Sequence, residues 1–421
     1  MDEPRPAQRI FYGWWVVVAS FVMLAVGSGM VFYMVGVFIT ALDDQRNIGV
    51  GASSTAVAVL FLVSGLAGFG VGSIIARADP RPVIALGAVI VAVSLLLLGR
   101  VTEAWQLYPV FALMGLGFAG CSLVPGTTLV TRWFERKRSI ALSVASTGLS
   151  AGGILLTPLV AALIVDRGLD WATPWMALAV VIGIIPITAL LFRPWPAAMN
   201  LSPDGDVVIA DHGSGGHVTR GWVFADARAT RFYRFVLIAY VFVMLSQVGG
   251  IQHLFNLIDD RAGTSAAKAS IPIVAASSVV GRLLGGWIVT RFDTKTFTAM
   301  LIFVQVVALA LFAVADGRTA LLATTALFGV SVGNLLMLQP LILAETFGVV
   351  DYGRIYGFAQ LVMTIGVAAG PMLVGLMYES SGGYLPAFLM VSGAAAIGGV
   401  LLVAAGSQTA VGNPPPVPAQ A

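Results

Sequence analysis

Arg282 is the residue whose chemistry most needs explaining. It stands in "SSVVGRLLGGW" (277–287), with "SIPIVAA" before that stretch and "IVT" after it, so a guanidinium sits inside an apolar run of membrane-span length. It is about eight residues from the inner end of the run, or roughly 12 Å at ~1.5 Å per residue, too deep for easy snorkelling. Centring an arginine in a span costs about 2.5–3.5 kcal/mol on insertion scales. All 20 acidic residues fall in loops or near helix ends, among them Asp259, Asp260, Glu345 and Glu379, so none is placed to neutralise it. A structural arginine would pair with a helix end instead. The functional reading gives Arg282 an anion that binds and leaves, held by charge-assisted hydrogen bonds to a carboxylate.

Other polar side chains lie at cavity depth. His253 is the only histidine in a span, and Asn256, three residues on, shares its helix face. Tyr33, Gln247, Asn334, Gln360 and Thr364 complete the set, although each alone also suits a hydrogen bond between helices. His212 and His217 in "DHGSGGH" fall short of the three or four ligands a metal site needs, so no metal is expected. No Gly-rich phosphate loop and no Ser/His/Asp arrangement is visible. The expectation is a protein that is not an enzyme, has no cofactor, and moves a solute on an ion or exchange gradient. The basic run "RWFERKR" (132–138) is read as a cytoplasmic loop and not as a nucleic-acid patch.

Positioning these residues requires a lipid-embedded frame. Of 421 residues 58% are hydrophobic and 10% charged, against about 25% charged in soluble domains. The apolar runs are long and continuous, which excludes the short alternating strands of a membrane β-barrel. They predict an all-α membrane protein with spans at 14–40, 54–76, 82–100, 104–130, 139–165, 173–192, 234–258, 270–290, 297–316, 319–345, 353–378 and 385–405. The first is read as a retained span and not a cleaved signal. Six-helix bundles at 1–192 and 234–405 are expected, joined by a linker at 193–233 and followed by a tail at 406–421. With the N-terminus inside, sixteen basic residues fall in cytoplasmic segments and six in external ones. That bias predicts both termini in the cytoplasm of a multi-pass cell (inner) membrane protein. The single cysteine, Cys121, excludes a disulfide within the chain.

The halves repeat. "GSIIARADPR" (72–81) matches "GWIVTRFDTK" (286–295), pairing Gly72 with Gly286, Arg77 with Arg291, Asp79 with Asp293 and Arg81 with Lys295. Gly153 later pairs with Gly366 and Pro158 with Pro371. Under this alignment Arg282 falls opposite Gly68, so the fold unit itself does not require the arginine. Six helices repeated in the same orientation fit a carrier that holds its substrate between the halves.

Twelve spans, a central loop and the repeated loop motif resemble the major facilitator superfamily. The motif after the second span usually reads Gly-x-x-x-Asp-Arg-x-Gly-x-Arg/Lys; here Ala76 and Thr290 occupy the Asp positions, and Asp79 and Asp293 the second Gly positions. The resemblance implies a gating role for Arg77, Asp79, Arg81, Arg291, Asp293 and Lys295. "YGWWVVVASF" (12–21), "RWFERKRSIALSVASTGLSAGG" (132–153), "RPWPAAMNLSPDGD" (193–206) and "ETFGVVDYGRIYGFAQLVMTIGVAAGP" (345–371) are similar to segments of the monocarboxylate transporter and oxalate:formate antiporter group. Members carry a carboxylate-binding arginine in helix 8, and Arg282 falls on it. Tyr33 stands where the animal members have a helix 1 lysine, and Ser278 where they have an aspartate. No lysine lies between 353 and 378 to match the antiporter's.

The expected function is secondary active transport of small organic anions, monocarboxylates foremost, by a monomer in the lipid bilayer. A proton or a counter-anion is the coupling partner, with symport and exchange both open. The alternatives are efflux of a drug or other non-anionic solute and a transporter-like sensor.

Overall fold

The computed structural model describes residues 11–199, 201–205 and 221–411. Arg5, Arg9, His212, His217, Arg220 and the end of the tail lie outside the described residues.

Among the described residues, twelve helices are long and apolar enough to cross a membrane: α1 (Gly13–Arg46), α2 (Gly51–Arg77), α3 (Pro80–Leu98), α4 (Ala104–Trp133), α5 (Arg138–Arg167), α6 (Leu169–Leu190), α7 (Arg231–Ala262), α8 (Thr264–Ile288), α9 (Thr294–Val314), α10 (Arg318–Phe347), α11 (Tyr352–Ser381) and α12 (Tyr384–Ala404). Every expected span is present. Most run several residues past the apolar core, because polar residues that end a hydropathy run do not end a helix. Local chemistry sets several boundaries. Asp79 caps α3, accepting the Arg81 N–H at 3.0 Å, and Pro80 supplies a first-turn residue with no N–H to satisfy. Asp293 caps α9 through the Thr296 N–H at 2.8 Å. Glu103 and Gln106 form a reciprocal capping box at the start of α4.

Two helices carry a π-helical turn at matching places, Ser28–Phe32 in α1 and Gly152–Leu156 in α5. These turns pack on each other through glycines. A Cβ on Gly152 would lie 2.1 Å from the Ala25 oxygen, and one on Gly29 would lie 2.8 Å from the Gly152 oxygen. π-Turns re-aim the residues that follow them, and the α1 turn delivers Tyr33.

The helices form two six-helix bundles. The bundles meet along α2 with α11 and along α5 with α8, with further contact of α4 on α11 and of α5 on α10. The face bearing the α6–α7 linker is termed the linker face, and the opposite one the far face. Near the linker face the seam is tight: a Cβ on Gly72 would lie 2.0 Å from the Gly353 oxygen, and one on Gly286 would lie 2.5 Å from Ser143 Cβ. Toward the far face, Val35–Arg46 and Thr157–Arg167 pack chiefly on their own bundle. The cleft is therefore closed at the linker face and parted beyond mid-depth.

The linker is not merely a surface connection. The Asp204 carboxylate accepts the backbone N–H groups of Glu135, Arg136 and Lys137, tying the linker to the α4–α5 loop. Further on, Phe224 in a short helix (Phe224–Ala229) sits between Phe69 of α2 and Phe358 of α11, with ring centroids 5.6 and 5.5 Å away. It is buried, and its N–H donates to Asp351 Oδ2 at 2.9 Å.

Candidate functional site

Serines at 139, 143, 146 and 150 recur at spacings of four, three and four, which aligns them on one face of α5. That face meets α8, whose Ser278, Arg282 and Gly286 also share a stripe. The small side chains let the helices close: Ser143 Oγ donates to the Arg282 carbonyl at 2.5 Å, and the Ser150 and Ser278 hydroxyls are 3.4 Å apart. On the other side of α8, Gly333 of α10 approaches so closely that a Cβ there would lie 2.0 Å from the Ser278 oxygen.

Arg282 lies between these neighbours, 2% exposed. Its Nε donates to the Gly333 carbonyl at 2.7 Å, within its own bundle. Its Nη1 donates to the Ser146 carbonyl at 2.7 Å and to Ser150 Oγ at 3.2 Å, both in the other bundle. A guanidinium has five N–H donors. Three are thus placed, and among the described residues Nη2 has no hydrogen-bond acceptor. No carboxylate forms an ion pair with Arg282 among the described residues. The partners are neutral oxygens that solvate the cation without cancelling its charge. Tyr33 lies within electrostatic range of the guanidinium. Its ring rests on Gly153 of α5, where a Cβ would come within 2.9 Å.

The structure brings Arg282, Ser278 and Tyr33 together and scatters the other candidates. Asn334, next to Gly333, donates to Val330 O at 2.9 Å, while its Oδ1 is buried without a partner beside Gly285 of α8. Gln360 donates to the Tyr356 hydroxyl at 2.7 Å and leaves Oε1 unpaired. Gln247 is buried in α7 with Oε1 unpaired. His253 and Asn256 do share a face, but it meets α11 and α12: His253 Nε2 is 3.1 Å from the Pro371 carbonyl, its ring centroid is 6.2 Å from that of Tyr384, and Asn256 lies near the Tyr384 side chain. The acceptor there is a carbonyl, so Nε2 carries the proton.

The contacts that the repeated loop motif makes stay inside its own bundles. Asp79 holds Arg81, whose Nε lies 2.8 Å from Oδ2. Those contacts, with Arg132 nearby, hold the Asp79 carboxyl below the usual carboxylate range. Arg291 stacks on Trp287 at 4.1 Å, and Lys295 donates to Val403 O at 3.1 Å. Among the described residues, none of Arg77, Asp79, Arg81, Arg291, Asp293 and Lys295 hydrogen-bonds or ion-pairs across the seam in this conformation. The seam contacts belong to Gly72 with Gly353 and to the serine face of α5. Sequence reasoning missed Ser143, Ser146 and Ser150, although their period was there to be counted. Two clefts of about 440 and 520 Å³, beside Asp170 and Trp105, are bordered by neither Arg282 nor Tyr33.

Among curated proteins, the chain is 24% identical over 306 residues to the MFS transporter asaE of Aspergillus flavus, covering 72% of this chain and 65% of that one. It is 27% identical over 311 residues to monocarboxylate transporter 13 of Bos taurus, covering 72% and 68%. Among solved structures, it superposes on the Major Facilitator Superfamily transporter FucP in the outward conformation with a TM-score of 0.71 at 15% identity, covering 93% of this chain and 98% of that one. The human organic anion transporter MFSD10 gives a TM-score of 0.69, also at 15% identity, covering 93% and 99%. Residues 21–341 match the Major Facilitator Superfamily, and the chain belongs to that family.

Proposed function

We propose that the protein is a secondary active carrier of small organic anions, monocarboxylates foremost, operating by alternating access of the two bundles. The observation that carries this reading is Arg282, a buried cation with Nη2 unclaimed and no carboxylate paired with it among the described residues. A carboxylate arriving through the parted far side would supply both the missing charge and the missing acceptors. The relatives' printed names, which include monocarboxylate transporters, lend support.

Exchange is the favoured mode. Opening the linker face must separate α5 from α8, which strips Arg282 of its bonds to Ser146 and Ser150. An empty carrier would then expose a poorly paired guanidinium, whereas a loaded one would not. The charge bias supports a linker face on the cytoplasmic side. Cysteines in 193–233, on a Cys121→Ser background, should then be labelled only from the cytoplasmic side, and external labelling would overturn the orientation.

The direct test is a thermal shift of the purified chain with lactate, acetate and the matching neutral amides. Acids should raise the melting temperature and amides should not. Equal shifts, or none, would sink the anion reading.

A further inference from the structure

The carboxylate anchor rests on the second bundle, which leaves open what the first bundle contributes. Phe32 and Tyr33 are 40% and 42% exposed, unusual for large aromatic rings at a helix bend inside a bundle. They pack edge to face at 5.2 Å, and Phe32 packs the same way on Phe61 of α2 at 5.7 Å. These rings belong to the inter-bundle cleft and not to the lipid face. Gly65 of α2 touches Thr364 of α11, and Gly72 touches Gly353. Phe61 lies one turn before Gly65 on that same face, on the far side of Gly65 from Gly72. Tyr33 in turn rests on Gly153 of α5, one turn from the Ser150 hydroxyl that Arg282 bonds, within electrostatic range of the guanidinium. The cleft therefore has a cation on one wall and three converging aromatic rings on the other. No second cationic residue lies deep in any span, so a second carboxylate on the same molecule would go unpaired.

Resting on the anion reading above, we propose that the substrate is a monocarboxylate with an aromatic body, its ring received by Phe32, Tyr33 and Phe61 and its carboxylate by Arg282. Rings prefer offset and edge-to-face partners, and the T-shaped array of three leaves ring faces open to a fourth. The division of labour also links the bundles: a ligand touching both walls bridges the cleft it must help to close.

The test is calorimetric titration of the purified full-length chain with phenylacetate, cyclohexylacetate, acetate and phenylacetamide. Phenylacetate should bind about tenfold or more tighter than acetate and severalfold tighter than cyclohexylacetate. Phe61→Leu and Phe32→Leu, which keep an apolar side chain but remove the ring, should collapse the phenylacetate preference while leaving acetate affinity unchanged. Equal binding of phenylacetate and acetate, equal binding of phenylacetate and cyclohexylacetate, or a preference that survives both substitutions would each overturn the aromatic subsite and leave the anchor standing. Phenylacetamide binding as tightly as phenylacetate would remove the anchor while the ring subsite stood. No binding by any of the four would overturn both.

Discussion

Arg282 reaches from one bundle to the other: its Nη1 lies 2.7 Å from the Ser146 carbonyl across the α5–α8 seam. The position equivalent in the other half is Gly68, whose carbonyl lies 2.9 Å from where a Cβ on Gly357 would stand. One seam is thus closed by glycine against glycine, and the other by an arginine against a row of serines.

Substituting Arg282 should separate charge from geometry. Arg282→Ala should abolish carboxylate-induced thermal stabilisation. It loses two short charged hydrogen bonds but no longer buries a cation, so apo stability should change by less than about 2 kcal/mol. Arg282→Lys keeps the charge without the fork and should recover only part of the affinity. Wild-type carboxylate binding by Arg282→Ala would remove the anchor role. Failure of that variant to accumulate in the membrane would make the arginine structural.

The glycine seam makes a conformational prediction. A Cβ on Gly72 would lie 2.0 Å from a backbone oxygen, which cannot move as a flexible side chain could. Gly72→Ala should therefore disfavour the linker-closed state by about 1–3 kcal/mol. A cysteine placed at Ser139 on the Cys121→Ser background should then react faster with a soluble thiol reagent. Labelling and melting temperature both at wild-type values would show that the seam yields without cost.

Phe224 should act on the same equilibrium from outside the bundles. Its ring joins Phe69 and Phe358, which belong to opposite bundles. Removing two aromatic contacts at about 0.5–1.5 kcal/mol each in Phe224→Ala should raise linker-face labelling about tenfold. No change would reduce the linker helix to a passive tether.

Asp79 carries a pH dependence of definite sign. Its carboxyl is held low chiefly by the Arg81 side-chain bond. The folded value lies below the unfolded one, near 3.9. The stabilisation is therefore complete above that pH and fades as pH falls through the folded value. Asp79→Asn should lower the melting temperature at pH 7, and the gap should close in strongly acidic buffer. A gap that widens on acidification would contradict the assignment.

The span count and the burial of Arg282 away from any carboxylate among the described residues were legible because each rests on composition within a single helix. The partners of Arg282 were not, because Ser146, Ser150 and Gly333 come from α5 and α10, and a carbonyl oxygen looks the same at every position. The serine period was visible, yet its value lies in the helix it faces. The same limit explains His253 and Asn256: their shared face followed from spacing, but what it meets depends on α11 and α12. Phe32 and Phe61 were hidden among 23 phenylalanines, since nothing local separates a ring in a cleft from one in lipid.

The solitary charge of Arg282 also bears on how the membrane potential acts. On the anion reading, a loaded carrier crosses its cycle as a neutral pair, and the field has nothing to pull on. A vacant carrier moves one elementary charge, on which a full transmembrane potential works with about 2.3 kcal/mol per 100 mV. Anion-for-anion exchange would then run at the same rate in polarised and depolarised vesicles. Net uptake, which needs the vacant return step, would be electrogenic and would change with voltage.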